Sequence, residues 1–396
     1  MKQHRAMYLP VLLCLVLLLS VFSGCGGSGE TSGAKLLQME PTDRCAVSKE
    51  LTYDHSLKLK YAKEFAVDYF KEGGSLITVV DGRQYFVPSI SDGAANVPGD
   101  LSKDVSVLPA PVQNGYLAGT ACMDYFVSFG GLDQLAFSSL REEGWKIPEA
   151  AEAVHDGDIR YAGKYSTPDY ELLTSGKCDL AIENTMIYHT PDVIDQLESL
   201  GIPVFIDNSS NESTPQARME WVKLFGVIAG KEKAAEQAFR AQEKEFTDLP
   251  VHCGTDLPKV AFFSVRANGT VVVRRATDYI PSMIAMAGGE YAFKDLGAED
   301  DSKRSTQVIS MEEFYQTAKD ADYFIYNSSI EGERTSIAGL VKDAPVLADC
   351  KAVKDGNVFC TTADLYQHSM GQGTFVRDLY NMLTGEEEFC YIFKLE

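Results

Sequence analysis

Two groups of side chains in this chain are of types that can hold a ligand. The first follows the apolar run Leu180-Ala181-Ile182 and reads Glu183-Asn184-Thr185-Met186-Ile187-Tyr188-His189. Tyr188 can stack on an organic molecule, and His189 can coordinate a metal or donate a hydrogen bond. The second group is Arg266, then Arg274-Arg275, just ahead of Asp278 and Tyr279. A guanidinium offers a planar fork of donors that suits carboxylate, phosphate or catecholate oxygens. Tyr165, within Gly163-Lys164-Tyr165-Ser166, is a further aromatic expected in a cleft, and Cys122-Met123 carry soft atoms suited to a transition metal. Each has an ordinary structural reading beside the chemical one: packing for Cys122 and Met123, surface ion pairs for the arginines, a local role for His189.

No catalytic assembly accompanies these residues. The chain lacks His-Glu-x-x-His, the phosphate-binding Gly-x-x-x-x-Gly-Lys-Ser/Thr and a well-placed Gly-x-Gly-x-x-Gly. Six histidines are little material for a multi-histidine metal centre. The net charge of -21 disfavours DNA or RNA as a partner, because a phosphate backbone demands a basic surface, and no nucleic-acid partner is expected. Basic side chains gathered in one cleft of so acidic a protein would still concentrate small anions.

The amino terminus sets the compartment. Lys2, His4 and Arg5 precede the apolar stretch from Pro10 to Leu19, the order of an export signal. The run is short for a permanent span, which needs about 20 apolar residues, and it ends in Phe22-Ser23-Gly24-Cys25. Small residues before a single Cys fit a lipoprotein cleavage site, so residues 1-24 are expected to be removed and Cys25 to carry a lipid that holds a soluble body at the membrane face. An ordinary signal peptide with an incidental Cys is the competing reading. Of the nine cysteines, those beyond Cys25 are Cys45, Cys122, Cys178, Cys253, Cys350, Cys360 and Cys390, an odd number with no Cys-x-x-Cys spacing. Cys350 with Cys360 is the one disulfide candidate, against two small buried residues.

The elements that must position these groups follow from periodicity. Residues 25-50 open on Gly26-Gly27-Ser28-Gly29 and read as a flexible tether. Phe65 to Phe70 and Leu76 to Val80, around Gly73-Gly74, predict a β-hairpin. Strand and helix patterns then alternate through Leu135-Ala136-Phe137, Leu180-Ala181-Ile182 and Ile202 to Ile206, which predicts a mainly parallel sheet covered by helices over residues 51-212. Thr214 caps a helix opened by Pro215, with an apolar stripe through Met219, Val222, Leu224, Phe225 and Ile228. Residues 213-247 are the expected linking helix; unbroken from Pro215 to Phe246 it would be about 48 Å long, enough to bridge two domains. A split at Ala229-Gly230 is the alternative, because Gly in a helix costs about 1 kcal/mol relative to Ala. Residues 248-396 repeat the alternation in a second α/β region, from Lys259 to Val265 and from Ala321 to Tyr326.

Several phrases, in this order, resemble the helix-hinged periplasmic binding proteins that serve ABC importers of iron-siderophore complexes, haem and cobalamin. They are Gly130-Gly131-Leu132-Asp133, Glu171-Leu172-Leu173 leading to Cys178-Asp179-Leu180-Ala181-Ile182, Leu200-Gly201-Ile202-Pro203-Val204, Lys223-Leu224-Phe225-Gly226 with Gly230-Lys231-Glu232, and Ala287-Gly288-Gly289 before Phe293. The resemblance implies an α/β protein with two Rossmann-like lobes joined by a long interdomain helix and a ligand cleft between them. It also implies a monomer with no intrinsic cofactor and no enzymatic activity, which captures such a chelate for an ABC transporter permease. In that family acidic tips of both lobes dock on the permease; by motif context they map to Glu171 and Glu312. An extracellular sensing or adhesin lipoprotein is the alternative function, and an exported enzyme a more distant one.

Overall fold

A computed structural model describes residues 32–250, 256–298 and 304–396. The signal, Cys25 and its lipidation, and Cys253 lie outside the described residues.

The first lobe is built on five parallel strands in the order Arg160–Tyr161, Leu135–Ser138, Gly115–Leu117, Leu180–Asn184 and Val204–Asp207. Both faces of this sheet are covered, which is why Leu180–Asn184 and Val204–Asp207 read as nearly continuous apolar runs. One face packs Leu180, Ile182 and Phe205 against the helix that carries Trp221 and Phe225; the other packs Tyr116, Phe137, Ala181 and Ile206 together.

The second lobe carries a mixed sheet. Its central strands Lys259–Val265, Tyr323–Tyr326 and Val358–Thr361 are parallel, Val271–Arg274 and Ile392–Lys394 run antiparallel to them on either side, and Thr306–Ile309 pairs antiparallel with Val271–Arg274 at one edge. The helix Tyr279–Met286 is capped by Asp278, whose carboxylate accepts from the Ile280 N–H at 3.0 Å.

The connection between lobes differs from a single long rod. Two helices, Pro215–Ile228 and Glu232–Thr247, fold back on one another. Gly230 is left-handed, at φ 64°, and the Gly230 and Lys231 N–H groups donate to the Val227 and Gly226 carbonyls at 3.2 and 2.7 Å. That is a Schellman termination, and it suits glycine because a Cβ would be strained at this φ. A Cβ on Gly226 would meet the Ala235 methyl at 2.5 Å, so the two helices touch through these small residues. The first helix is buried nearly all round within the first lobe. The second alone crosses: Phe246 packs against the cores of both lobes, and Arg377 of the last helix pairs with Glu245 at 2.5 Å. Its 16 residues span about 24 Å, half the unbroken estimate.

The expected hairpin, Phe65–Phe70 with Ser75–Val79, is part of a separate antiparallel sheet with Tyr53–Ser56 and Gln84–Val87, closed by Val105–Val107 parallel to Gln84–Val87. The tether expectation is corrected for residues 32–50. Helices Ser32–Gln38 and Pro41–Arg44 lie on this sheet, and a Cβ on Gly33 would meet the Val80 carbonyl oxygen at 2.1 Å. Arg44 is buried and makes a bidentate pair with fully buried Asp68, at 2.7 and 2.9 Å. A charge that leaves water needs such a partner, and only the folded sheet supplies it.

The sheet is fused to the first lobe. Phe65 meets the Trp221 ring edge-on at 4.8 Å, and Tyr85 lies 5.1 Å from Phe205. Glu220, fully buried on the first linking helix, accepts from the N–H groups of Lys60, Tyr61 and Ala62 and from Lys223 Nζ; Glu212 accepts from those of Lys63 and Glu64. Two carboxylates thereby satisfy the five successive amides of one loop.

Candidate ligand cleft

A cavity of about 340 Å³ lies between the lobes. On the first lobe it is walled by residues that follow the parallel strands: Thr120 and Ala121, Asn184 to Met186, and Asp207 with Ser209 and Ser210. These are the carboxyl ends of the strands, where an open α/β sheet leaves its crevice. The facing wall comes from the helix Tyr279–Met286, from Tyr366 and His368 beyond strand Val358–Thr361, and from the start of the helix Gln372–Thr384.

Local hydrogen bonds shape the first wall. The Asn184 side chain accepts from the Met186 N–H at 2.9 Å, and Asp207 accepts from the Ser209 N–H and hydroxyl at 3.0 and 2.9 Å. Burial raises the pKa of Asp207, and the Ser209 donors oppose that rise. Arg218, in the first turns of Pro215–Ile228, donates to the Ser210 and Glu212 carbonyls at 2.5 and 3.1 Å. Its guanidinium lies 3.9 Å from the centre of the Tyr279 ring, so a cation on one lobe stacks on an aromatic of the other across the cleft.

A second bridge stands beside it. His368 Nδ1 is 3.5 Å from Asp124 Oδ1 and its Nε2 is 3.4 Å from Asp364 Oδ2. Burial works against its charge, but these two carboxylates outweigh it and push its pKa up to about 9. In the same loop the Met370 N–H donates to Asp124 at 2.6 Å, and the Ser369 hydroxyl to the Ala121 carbonyl at 2.8 Å. Gln367 exchanges two hydrogen bonds with the backbone at Gly144 and Lys146. The cleft therefore offers one arginine, one cationic histidine, several hydroxyls and amides, and the rings of Tyr125, Tyr279 and Tyr366. It can hold a ligand with both an apolar body and oxygen acceptors.

Of the residues singled out in the sequence, Tyr279 lines this cavity. Arg274 is buried beneath it: its guanidinium donates to the Tyr366 hydroxyl and lies 3.7 Å from Asp278, and so orients a tyrosine of the cleft wall. Arg275 is also buried, with its side-chain methylenes against Gly297. Arg266 is exposed in the turn between Lys259–Val265 and Val271–Arg274, where its N–H donates to the Thr270 carbonyl. Tyr165 packs at the edge of the first lobe's second core, His189 is exposed, and Tyr188 donates to Asp81. None of these lines the cavity.

Cys122 and Met123 are fully buried in the core, and among the described residues no group of three or more His, Cys, Asp or Glu is gathered to hold a metal. Cys350 and Cys360 are free, buried thiols, which corrects the disulfide candidate. Glu171 and Glu312 are both exposed, one on each lobe, in the first turns of Tyr170–Ser175 and Met311–Ala318.

Sequence reasoning missed Arg218, Tyr366 and His368. The last two follow strand Val358–Thr361, whose short apolar run carries the same signal that located Asn184 to Met186. Arg218 had no local signal, since its place in the cleft depends on Tyr279 of the other lobe.

Comparison with known proteins agrees with this architecture. Residues 145–365 match the family model described as periplasmic binding protein. An uncharacterized lipoprotein of Methanocaldococcus jannaschii is 23% identical over 385 residues, covering 90% of this chain and 87% of its own. A periplasmic binding protein of Veillonella parvula superposes with a TM-score of 0.57 at 18% identity, over 75% of this chain and 97% of its own. A periplasmic heme binding protein of Pseudomonas aeruginosa gives 0.55 at 17% identity, over 72% and 98%. Two lobes, a helical connection and an interlobe cleft define an extracytoplasmic binding protein. The chain belongs to the periplasmic binding protein family, whose members are non-catalytic components of transport. The two solved structures use nearly their whole length on about three quarters of this chain, so the remainder is additional to the fold they share.

Proposed function

We propose that this protein is the solute-capturing component of an ABC importer, held outside the cytoplasmic membrane by a lipid on Cys25, and that its solute is a metal chelate of the iron-siderophore, haem or cobalamin type. The observation that carries the reading is the cleft itself: loops at the strand ends of one lobe face aromatic and cationic side chains of the other across a cavity of about 340 Å³. The likeness to a heme binding protein, and a lipoprotein among the relatives, support the solute class and the anchor.

In this reading Arg218 and His368 meet the oxygens of the solute, and Tyr279 and Tyr366 meet its apolar body. The solute favours closure only by binding the closed state more tightly than the open one. Exposed Glu171 and Glu312, one on each lobe, present two carboxylates to basic residues of a permease. Calorimetry of the purified mature chain with haemin, cyanocobalamin and a ferric catecholate tests the proposal. Saturable one-to-one binding without turnover is expected; turnover of a bound compound, or no binding of any chelate, would defeat it.

A further inference from the structure

We propose that Asp81, contributed by the N-terminal antiparallel sheet, is a positioning residue for the ligand cleft, because its carboxylate ties together the two loops that form one wall. The inference rests on the reading of the interlobe cleft as the solute site. Asp81 sits in the turn between Ser75–Val79 and Gln84–Val87. The Arg83 N–H donates to Oδ1 at 2.9 Å, which fixes the carboxylate and turns Oδ2 toward the first lobe. There Oδ2 accepts from the Tyr188 hydroxyl at 2.6 Å and from Asn208 Nδ2 at 3.3 Å.

These two donors belong to different loops of the wall. Tyr188 is in the short helix Thr185–His189, whose first two residues line the cavity. Asn208 stands between Asp207 and Ser209, which both line it. The second loop is braced internally, since Asn208 Nδ2 also donates to the Ile206 carbonyl at 3.0 Å and Asn208 Oδ1 accepts from Asn211 at 3.2 Å. A shift at Asn208 is therefore passed along the wall. Nearby, Arg83 pairs with Glu198 at 3.2 Å on the helix Pro191–Ser199 that follows the first loop.

The sheet does not need Asp81 to stay attached. Phe65 on Trp221, Tyr85 on Phe205 and the Glu220 carboxylate fasten it through the common core, whereas Asp81 is half-buried at the rim. An added N-terminal element thus holds the cleft loops in place from outside, and the width of that wall depends on a residue beyond the two lobes.

Hydrogen exchange measured by mass spectrometry on the full mature chain without ligand tests this. In Asp81→Ala, peptides spanning 184–190 and 207–211 are expected to exchange at least tenfold faster. Those of Phe65–Phe70 and Lys259–Val265 should keep their wild-type rates. Asp81→Asn, which keeps an acceptor at this position, should recover most of the protection. Tyr188→Phe should loosen 184–190 to a similar degree, and adding Asp81→Ala to it should change that peptide less than twofold further. Unchanged exchange in both loops would overturn the proposal, as would a uniform rise over the whole lobe, which would mark Asp81 as merely structural. The result is read without ligand, so a wild type that binds neither haemin nor cyanocobalamin would count against solute capture alone.

Discussion

Glu183 is a carboxylic acid in the wrong place for a charge. It lies on strand Leu180–Asn184, fully buried, and neither carboxyl oxygen has a hydrogen-bond partner among the described residues. Burial alone raises its pKa from 4.5 to about 8, so the folded protein holds it neutral at pH 7. The unfolded chain ionises it near 4.5. Between these values the folded state binds more protons than the unfolded one, so stability falls as pH rises through the window. At about 1.4 kcal/mol per unit, the penalty at pH 7 is about 3 kcal/mol and levels off near 5 above pH 8. Glu183→Gln keeps the shape and stays neutral throughout. The variant should gain about 3 to 4 kcal/mol over wild type between pH 5 and pH 8. Trp145 and Trp221, both buried in the first lobe, report its urea unfolding by fluorescence at each pH. A stability difference that stays flat from pH 5 to pH 8 would refute the reasoning, because the carboxyl would then titrate alike in both states.

Three further outcomes follow from the geometry. Arg218→Ala removes the stacked cation from Tyr279 and should cost about 1 to 2 kcal/mol of closed-state preference, read as a larger radius of gyration in solution scattering and a weaker solute affinity. His368 gains its pKa of about 9 only while Asp124 and Asp364 face it, so the stability it lends is complete below about 6.5 and lost as pH rises through 9; thermal melts of wild type and His368→Gln should converge toward pH 10. Gly230→Ala forces a Cβ into a left-handed position and should lower stability by about 1 to 2 kcal/mol in urea unfolding.

Much of the fold was legible because its signals are local. Leu180-Ala181-Ile182 and Lys259 to Val265 are apolar without alternation because both faces of the sheet are covered, and Thr214-Pro215 ahead of an apolar stripe is a local helix-start signal. The break at Gly230 was legible only as one of two options: a glycine is compatible with a continuing helix and with a left-handed stop, and the close contact of Gly226 with Ala235 accompanies the stop. The segment 32–50 read as a tether because its pattern is weak, yet Arg44 is anchored by Asp68, 24 residues further on. The arginines illustrate the limit for the site. Arg274-Arg275 have the right chemistry, but Tyr366 and Asp278 already engage Arg274 under the cleft, and Arg218 takes the place across from Tyr279.

By itself, the sequence determined most of the strands and helices of the two α/β halves and that a helical connection lies between them. Those depend on periodicity and composition over a few neighbouring positions. Tertiary structure alone decided that the connection doubles back, that the first sheet is fused onto one lobe, and which side chains face the cleft. Membership of that cleft is a relation between loops far apart in the chain, such as Asp124 with His368 or Asp81 with Tyr188, and such a pairing has an energy only once the folded chain has brought its two halves together.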